Sequence, residues 1–179
     1  MNLKRLYAQT IFYPTLWWNM LLGRVLRVRN WWDPVHPSII LGAMPFASDI
    51  PALSRMGVKA VVNTCEEYEG PVEQYKKFNI EQMRMPTIDF THPKFEDVTR
   101  AVQFMDEQIA AGKKVYVHCK AGRARSATVV ICWLIKNKNM TAEQGQALLL
   151  EKRAHVNPRL PQRPVVQQFE ERFGKANAK

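Results

Sequence analysis

Apolar and polar positions along the chain fall into two alternating periods. Val58 to Asn63 is a β-branched run and predicts a central strand. Val115 to Val117, after a Lys-Lys pair, predict another, with Cys119 at its carboxyl end. Ser38 to Leu41, closed by Gly42, and Ile80 to Met85 read as two further strands. Helical spacing governs Phe95 to Ala111, where Val98, Ala101, Val102, Met105 and Ile109 share a face and Gly112 ends it. Ala127, Val129, Val130, Ile131, Trp133, Leu134 and Ile135 predict a buried helix capped by Ser126. Shorter helices are expected from Ser48 to Arg55, from Pro71 to Phe78, from the capping box Thr141-x-x-Gln144 to Arg153, and from Pro161 or Pro164 onward. Strands alternating with helices predict an α/β fold with a central, mostly parallel sheet of 4–5 strands flanked by helices. In such sheets ligands bind beyond the carboxyl ends of the strands.

The first 32 residues break this pattern, so residues 1–32 are set apart as a basic, aromatic segment and 33–175 as the α/β domain. No acid precedes Asp33. Leu3, Leu6, Tyr7 and Ile11 follow helical spacing beside Lys4 and Arg5. Leu6 to Gly23 is uncharged and approaches the length of a membrane span, but Gln9, Thr10, Pro14, Thr15 and Asn19 interrupt it, and Pro14 is expected to break or kink a helix. The segment lies in the headgroup plane with Trp17 and Trp18 at the interface, or Phe12, Tyr13, Leu16 and Trp17 pack on the domain's own flank, with a true span as the lesser alternative. A mitochondrial targeting segment fits the missing acids, though not the lack of serine before Ser38. A cleaved secretory signal is not supported, because no small-residue cleavage site follows a clean apolar core.

Charge narrows the partners. A net +10 and a pI near 9.7 point to acidic ones: an anionic membrane or a phosphorylated substrate. Nucleic acid ranks last among them and is not expected, since neither an RNA-binding signature nor an interleaved basic-aromatic sheet pattern appears. Three cysteines without framework spacing suit a reducing compartment and a free catalytic thiol. Four scattered histidines predict no metal site, and no cofactor is expected.

The chemistry concentrates in His118-Cys119-Lys120-Ala121-Gly122-Arg123-Ala124-Arg125-Ser126. A loop between a strand end and a helix start turns backbone N–H groups inward at the positive end of a helix dipole. That geometry binds a tetrahedral oxyanion and lowers the Cys119 pKa from the free value of roughly 8.5 toward neutrality. Arg125 supplies a planar fork for two phosphate oxygens at the loop's mouth, and Ser126 a donor to the sulfur. Lys120 to Arg125 form the expected phosphate-binding loop, with Lys120 and Arg123 adding positive charge for a second phosphate. His118 is expected to hydrogen-bond backbone and shape the loop.

His-Cys-x-x-Gly-x-x-Arg-Ser resembles the signature of the cysteine-dependent protein-tyrosine phosphatase superfamily, in its dual-specificity branch. A rhodanese-type sulfurtransferase also holds a cysteine in an anion loop; the arginine six places on and Ser126 favour the phosphatase. Dual-specificity phosphatases carry a general acid about as far before the nucleophile as Asp89, thirty residues before Cys119, and Asp89 is its match here; Glu96 and Asp97 look like helix-dipole partners. A narrower resemblance rests on Phe12-Tyr13-Pro14-Thr15-Leu16, Leu41-Gly42-Ala43-Met44-Pro45, Glu66-Glu67-Tyr68-Glu69 and the cysteine loop, in that order, across roughly residues 12 to 173. Together they are similar to the mitochondrial-type phosphatidylglycerophosphate phosphatases. This implies removal of the terminal phosphate from phosphatidylglycerophosphate through a cysteinyl-phosphate, at the mitochondrial inner membrane if the source is a eukaryote. Dual-specificity protein phosphatase activity, phosphoinositide phosphatase activity and a cytoplasmic location remain the alternatives.

Glu66, Glu67 and Glu69, after the Val58–Asn63 strand, are expected either to rim the pocket and orient Arg125 or other basic residues or to form a solvated loop, with Tyr68 walling the pocket. His155, Asn157 and Arg159 form a polar loop, and the sequence does not decide whether it reaches that rim. Cys65 ends the neighbouring strand, so it either packs or pairs reversibly with Cys119 under oxidation; Cys132 belongs to the core.

Overall fold

A computed structural model describes residues 6, 7 and 10–174. Leu3, Lys4, Arg5 and Gln9 of the N-terminal pattern, and position 175 of the expected domain limit, lie outside the described residues.

Five strands form one sheet in the order β1-β2-β5-β3-β4. They are β1 (Trp32–His36), β2 (Ile39–Gly42), β3 (Val58–Cys65), β4 (Glu81–Thr87) and β5 (Lys114–His118). β2, β5, β3 and β4 are mutually parallel, and β1 adds antiparallel at the edge. β1 was not predicted. It carries Pro34, whose missing N–H removes the usual strand signal but is tolerated on an edge.

Period-two alternation divides the two cores. Val115 and Val117 of β5 face a large cluster with Val98, Val102, Ile131 and Phe169, whereas Tyr116 faces the opposite side with Ile50, Leu53 and Tyr75. The first side is covered by α4 (Phe95–Ala110), α5 (Arg125–Lys138), α6 (Ala142–Lys152) and α7 (Pro164–Phe173). The second is covered by α2 (Ile50–Arg55) and α3 (Val72–Lys77). From Arg125 to Ile135 α5 is buried on every side, which fits its all-round apolar sequence and makes it the central helix. Each fully buried Val, Leu or Ile there contributes about 1.5–3 kcal/mol relative to exposure.

Two expected helix starts differ in detail. Ser48 lies in a 3-10 turn, Ala47–Asp49, and it is the Asp49 carboxylate that accepts from the Phe46 N–H. Ser126 caps nothing, because α5 begins one residue earlier and its hydroxyl is turned to Cys119. The Thr141/Gln144 capping box opens α6 with both reciprocal bonds made, and Pro164 opens α7.

The N-terminal segment forms α1 (Phe12–Met20), followed by a π-helical turn, Leu21–Val25. Pro14 sits in the first turn, where a missing N–H costs little, so it does not break the helix. Phe12 and Leu16 pack on Met44, while Tyr13, Trp17 and Trp18 are 67%, 70% and 61% exposed. No helix among the described residues is long and apolar enough to cross a membrane.

Candidate active site

Four strands deliver their chemistry to one edge. Gly42 ends β2, Cys65 ends β3, Asp89 follows β4 by two residues, and Cys119 follows β5 directly. The segment Cys119–Ala124 then turns into α5. Its shape is held from behind by Arg153, the residue that ends α6. Arg153 Nε donates to the Gly122 carbonyl at 3.0 Å and Nη2 to the Ala121 carbonyl at 3.1 Å. Nη1 pairs with Asp33 at 2.5 Å. Pulling carbonyl oxygens outward turns the loop's N–H groups toward its centre. Gly122 makes the turn possible: its φ is +66°, and a Cβ there would lie 2.5 Å from the Gly42 backbone.

Cys119 sits at the bottom of this loop, 4% exposed. Burial alone pushes its thiol up. The Arg125 charge, the Ser126 hydroxyl at 3.3 Å and the amides of Ser126 and Arg123 outweigh burial and bring the pKa down to about 7. Cys65, on the adjacent strand end, shows the opposite balance: burial pushes it well up, and Arg125 offsets only part. Both thiols are free. His118 is stacked on Tyr116 and edge-on to Tyr68, and burial holds it neutral with a pKa of about 3 despite the amide of Cys119.

Arg125 is 2% exposed, deeper than a residue at the mouth. Glu67 grips it with both oxygens, Oε2 to Nη1 at 2.9 Å and Oε1 to Nη2 at 2.8 Å. Nη1 also donates to the Thr87 carbonyl at 2.9 Å. Nε is buried and has no hydrogen-bond partner among the described residues. A guanidinium so fixed keeps its charge and presents an unfilled donor to an incoming oxyanion. Glu67 is therefore placed behind the pocket, as the anchor of Arg125. Tyr68 is not on the rim either. Its hydroxyl donates to the Pro45 carbonyl at 2.5 Å, its ring packs near Phe12, Leu16 and Met44, and burial pushes its pKa up to about 12.

Asp89 contacts two cations, Lys120 Nζ at 2.5 Å and Arg125 Nη2 at 3.1 Å. Lys120 is buried and not a free surface charge: Nζ also donates to Thr15 Oγ1 of α1 at 2.7 Å and lies over the rings of Phe12 and Phe90. Asn19 of α1 reaches the Lys120 carbonyl at 3.5 Å. The N-terminal helix thus touches the residue that holds the candidate acid.

Above Cys119 opens a cavity of about 480 Å³. Asp89, Cys119, Lys120, Ala121, Arg123, Ala124 and Arg125 line it; Gly122 supports the loop from behind without lining it. Asn157 reaches the wall, and its N–H donates to the Arg123 carbonyl at 2.8 Å. His155 accepts from Arg123 Nε through its carbonyl, and Arg159 does not line the cavity. Thr15, Trp18, Asn19, Arg29 and Arg163 join the wall without having been singled out for it. No group of three histidines, cysteines or acids is placed to hold a metal among the described residues.

Residues 39–172 match the dual specificity phosphatase catalytic domain family. A phosphatidylglycerophosphate phosphatase of Arabidopsis thaliana, PTPMT1, is 41% identical over 83% of this chain, which spans only 45% of that relative. The phosphatidylglycerophosphatase and protein-tyrosine phosphatase 1 of Homo sapiens is 33% identical over 90% of this chain and 85% of its own length. A crystal structure of PTPMT1 in complex with PI(5)P superposes with a TM-score of 0.75 at 31% identity, covering 84% of this chain and 100% of that one. With the loop, the buried thiol and the gripped arginine already in place, these matches settle the kinship: the chain belongs to the dual specificity phosphatase catalytic domain family, whose members are cysteine-dependent phosphoric monoester hydrolases.

Proposed function

We infer that the protein removes the terminal phosphate of phosphatidylglycerophosphate at an anionic membrane surface, leaving phosphatidylglycerol. The observation that carries this is the pairing of a thiolate-forming loop with a basic cavity whose outer wall is an aromatic-studded helix. Relatives named for the same reaction, and one seen with a phosphorylated lipid, support it. In a eukaryote the reading places the enzyme at the mitochondrial inner membrane.

The terminal phosphate enters the Cys119–Ala124 loop and meets inward N–H groups and Arg125 Nε. Arg125 and Lys120 turn part of their charge from Asp89 to the phosphate oxygens. Cys119 Sγ attacks phosphorus, the P–O bond to glycerol breaks, and Asp89 as general acid gives the leaving oxygen the proton that it regains from water in the second step. An alkoxide leaves poorly, so this proton is worth about 10²–10⁴-fold. Asp89 then takes a proton from water attacking the cysteinyl-phosphate, and Ser126 stabilises the departing thiolate from 3.3 Å.

The N-terminal helix would meet the bilayer through Tyr13, Trp17 and Trp18, with Arg27 following within the next residues, whereas Arg24 is paired with Asp49. The test compares kcat/KM for phosphatidylglycerophosphate in anionic vesicles with that for phosphotyrosine and phosphothreonine peptides. The lipid should turn over faster; faster peptide turnover would reassign the enzyme to phosphoproteins.

A further inference from the structure

Three arginines are buried among the described residues: Arg125, Arg153 and Arg163. Two have carboxylates supplied by the fold, Glu67 and Asp89 for Arg125 and Asp33 for Arg153. Arg163 has none among the described residues, although it is only 8% exposed. Burying a guanidinium without a counter-ion is costly, and burial does destabilise its charged form, opposed only by Cys119.

The position is nonetheless built. Arg163 immediately precedes α7, and its Nη1 donates to Thr128 Oγ1 of α5 at 3.0 Å. Thr128 in turn donates to the Ala124 carbonyl at 2.9 Å, which ties the arginine to the end of the phosphate loop. Its side chain lines the Cys119 cavity on the side of His92, whose pKa the Arg163 charge helps burial to lower. Nε and Nη2 have no protein partner among the described residues and are not sealed from solvent. A buried charge, fixed on one side and open on the other, in a wall of a ligand cavity, lacks the anion that would complete it.

We propose that Arg163 is the counter-charge for the phosphodiester of a glycerophospholipid substrate, a second anion position beside the one that reacts. The reacting phosphate is already served by the loop and Arg125. The diester of the same headgroup, joined to it through glycerol, is an anion that arrives only with substrate. This deepens the lipid-phosphatase reading and rests on it. It assigns headgroup selectivity to a residue outside the signature loop.

The experiment uses the full chain, its Arg163→Gln and Arg163→Lys variants, and three soluble probes. These are dihexanoyl phosphatidylglycerophosphate below its micelle concentration, para-nitrophenyl phosphate, and dihexanoyl phosphatidylglycerol as an inhibitor carrying only the diester. Without a bilayer, docking by α1 does not contribute. Arg163→Gln should lose about tenfold more kcat/KM on the lipid than on the aryl phosphate, through KM. Its inhibition constant for phosphatidylglycerol should rise about tenfold, with Arg163→Lys in between. Aryl phosphate turnover also reports that each variant is folded. Equal losses on both substrates, or an unchanged inhibition constant, would overturn the assignment. A wild-type enzyme that fails to hydrolyse the lipid would instead remove the proposed function, and the inhibition arm would then decide Arg163 by itself.

Discussion

The cavity has two walls of different construction. The inner wall, from Cys119 to Ser126, is anchored from below: Arg153 holds its carbonyls, Glu67 holds Arg125, and Ser126 holds the sulfur. The outer wall, α1, is anchored on one side only. Phe12, Leu16, Thr15 and Asn19 face the domain, while Tyr13 and Trp17 face solvent. Preorganised donors stabilise charge without reorganising when the reaction occurs, so the inner wall suits chemistry. A helix half packed and half bare suits a surface that is completed by lipid. Lys120 joins the two, bonded to Thr15 on one side and to Asp89 on the other.

Breaking the inner wall should therefore cost catalysis on every substrate. Cys119→Ser is expected to abolish turnover while phosphate still binds, checked by activity and by phosphate titration. Asp89→Asn should lower lipid turnover by about 10²–10⁴-fold and an aryl phosphate with a good leaving group much less. Equal losses would deny Asp89 its proton-transfer role. Glu67→Gln removes the charge that fixes Arg125. It should lower kcat/KM by about tenfold to a hundredfold on lipid and aryl phosphate alike, given about 1.5–3 kcal/mol for a hydrogen bond to a charged group.

Breaking the outer wall should cost only the membrane reaction. Tyr13→Ser with Trp17→Ser is expected to reduce turnover in anionic vesicles about tenfold and to spare a soluble aryl phosphate, read by parallel assays and vesicle sedimentation. Loss on both substrates would show that the helix serves folding alone. The smallest effect concerns pH. With the Cys119 thiol at about 7, the aryl phosphate rate rises as pH rises through that value, because the thiolate is the reactive form. Ser126→Ala removes a donor to that thiolate, which raises the thiol pKa, so the rising limb should move to higher pH.

The same contrast explains what the sequence made legible. Local, periodic or closely spaced features were readable: the β3 and β5 runs, the all-apolar α5, the capping box of α6 and the cysteine-to-arginine spacing. Features that depend on long-range approach were not. Arg153 ends a helix and has no motif, yet it clamps a loop 31 residues away. β1 was hidden by Pro34. Glu67 and Tyr68 follow the right strand, but only the three-dimensional structure turns one beneath Arg125 and the other toward Pro45. Lys120 was legible as a loop charge and illegible as a link to α1, since Thr15 lies 105 residues earlier.

Covalent trapping tests the central claim most directly. Enzyme turning over phosphatidylglycerophosphate labelled in its terminal phosphate would be quenched with acid within the first turnover and mapped by peptide. Label on the sulfur of Cys119, absent from Cys119→Ser, is the predicted result. Label on another residue, or turnover with no phosphoenzyme under conditions that trap it from aryl phosphate, would contradict it.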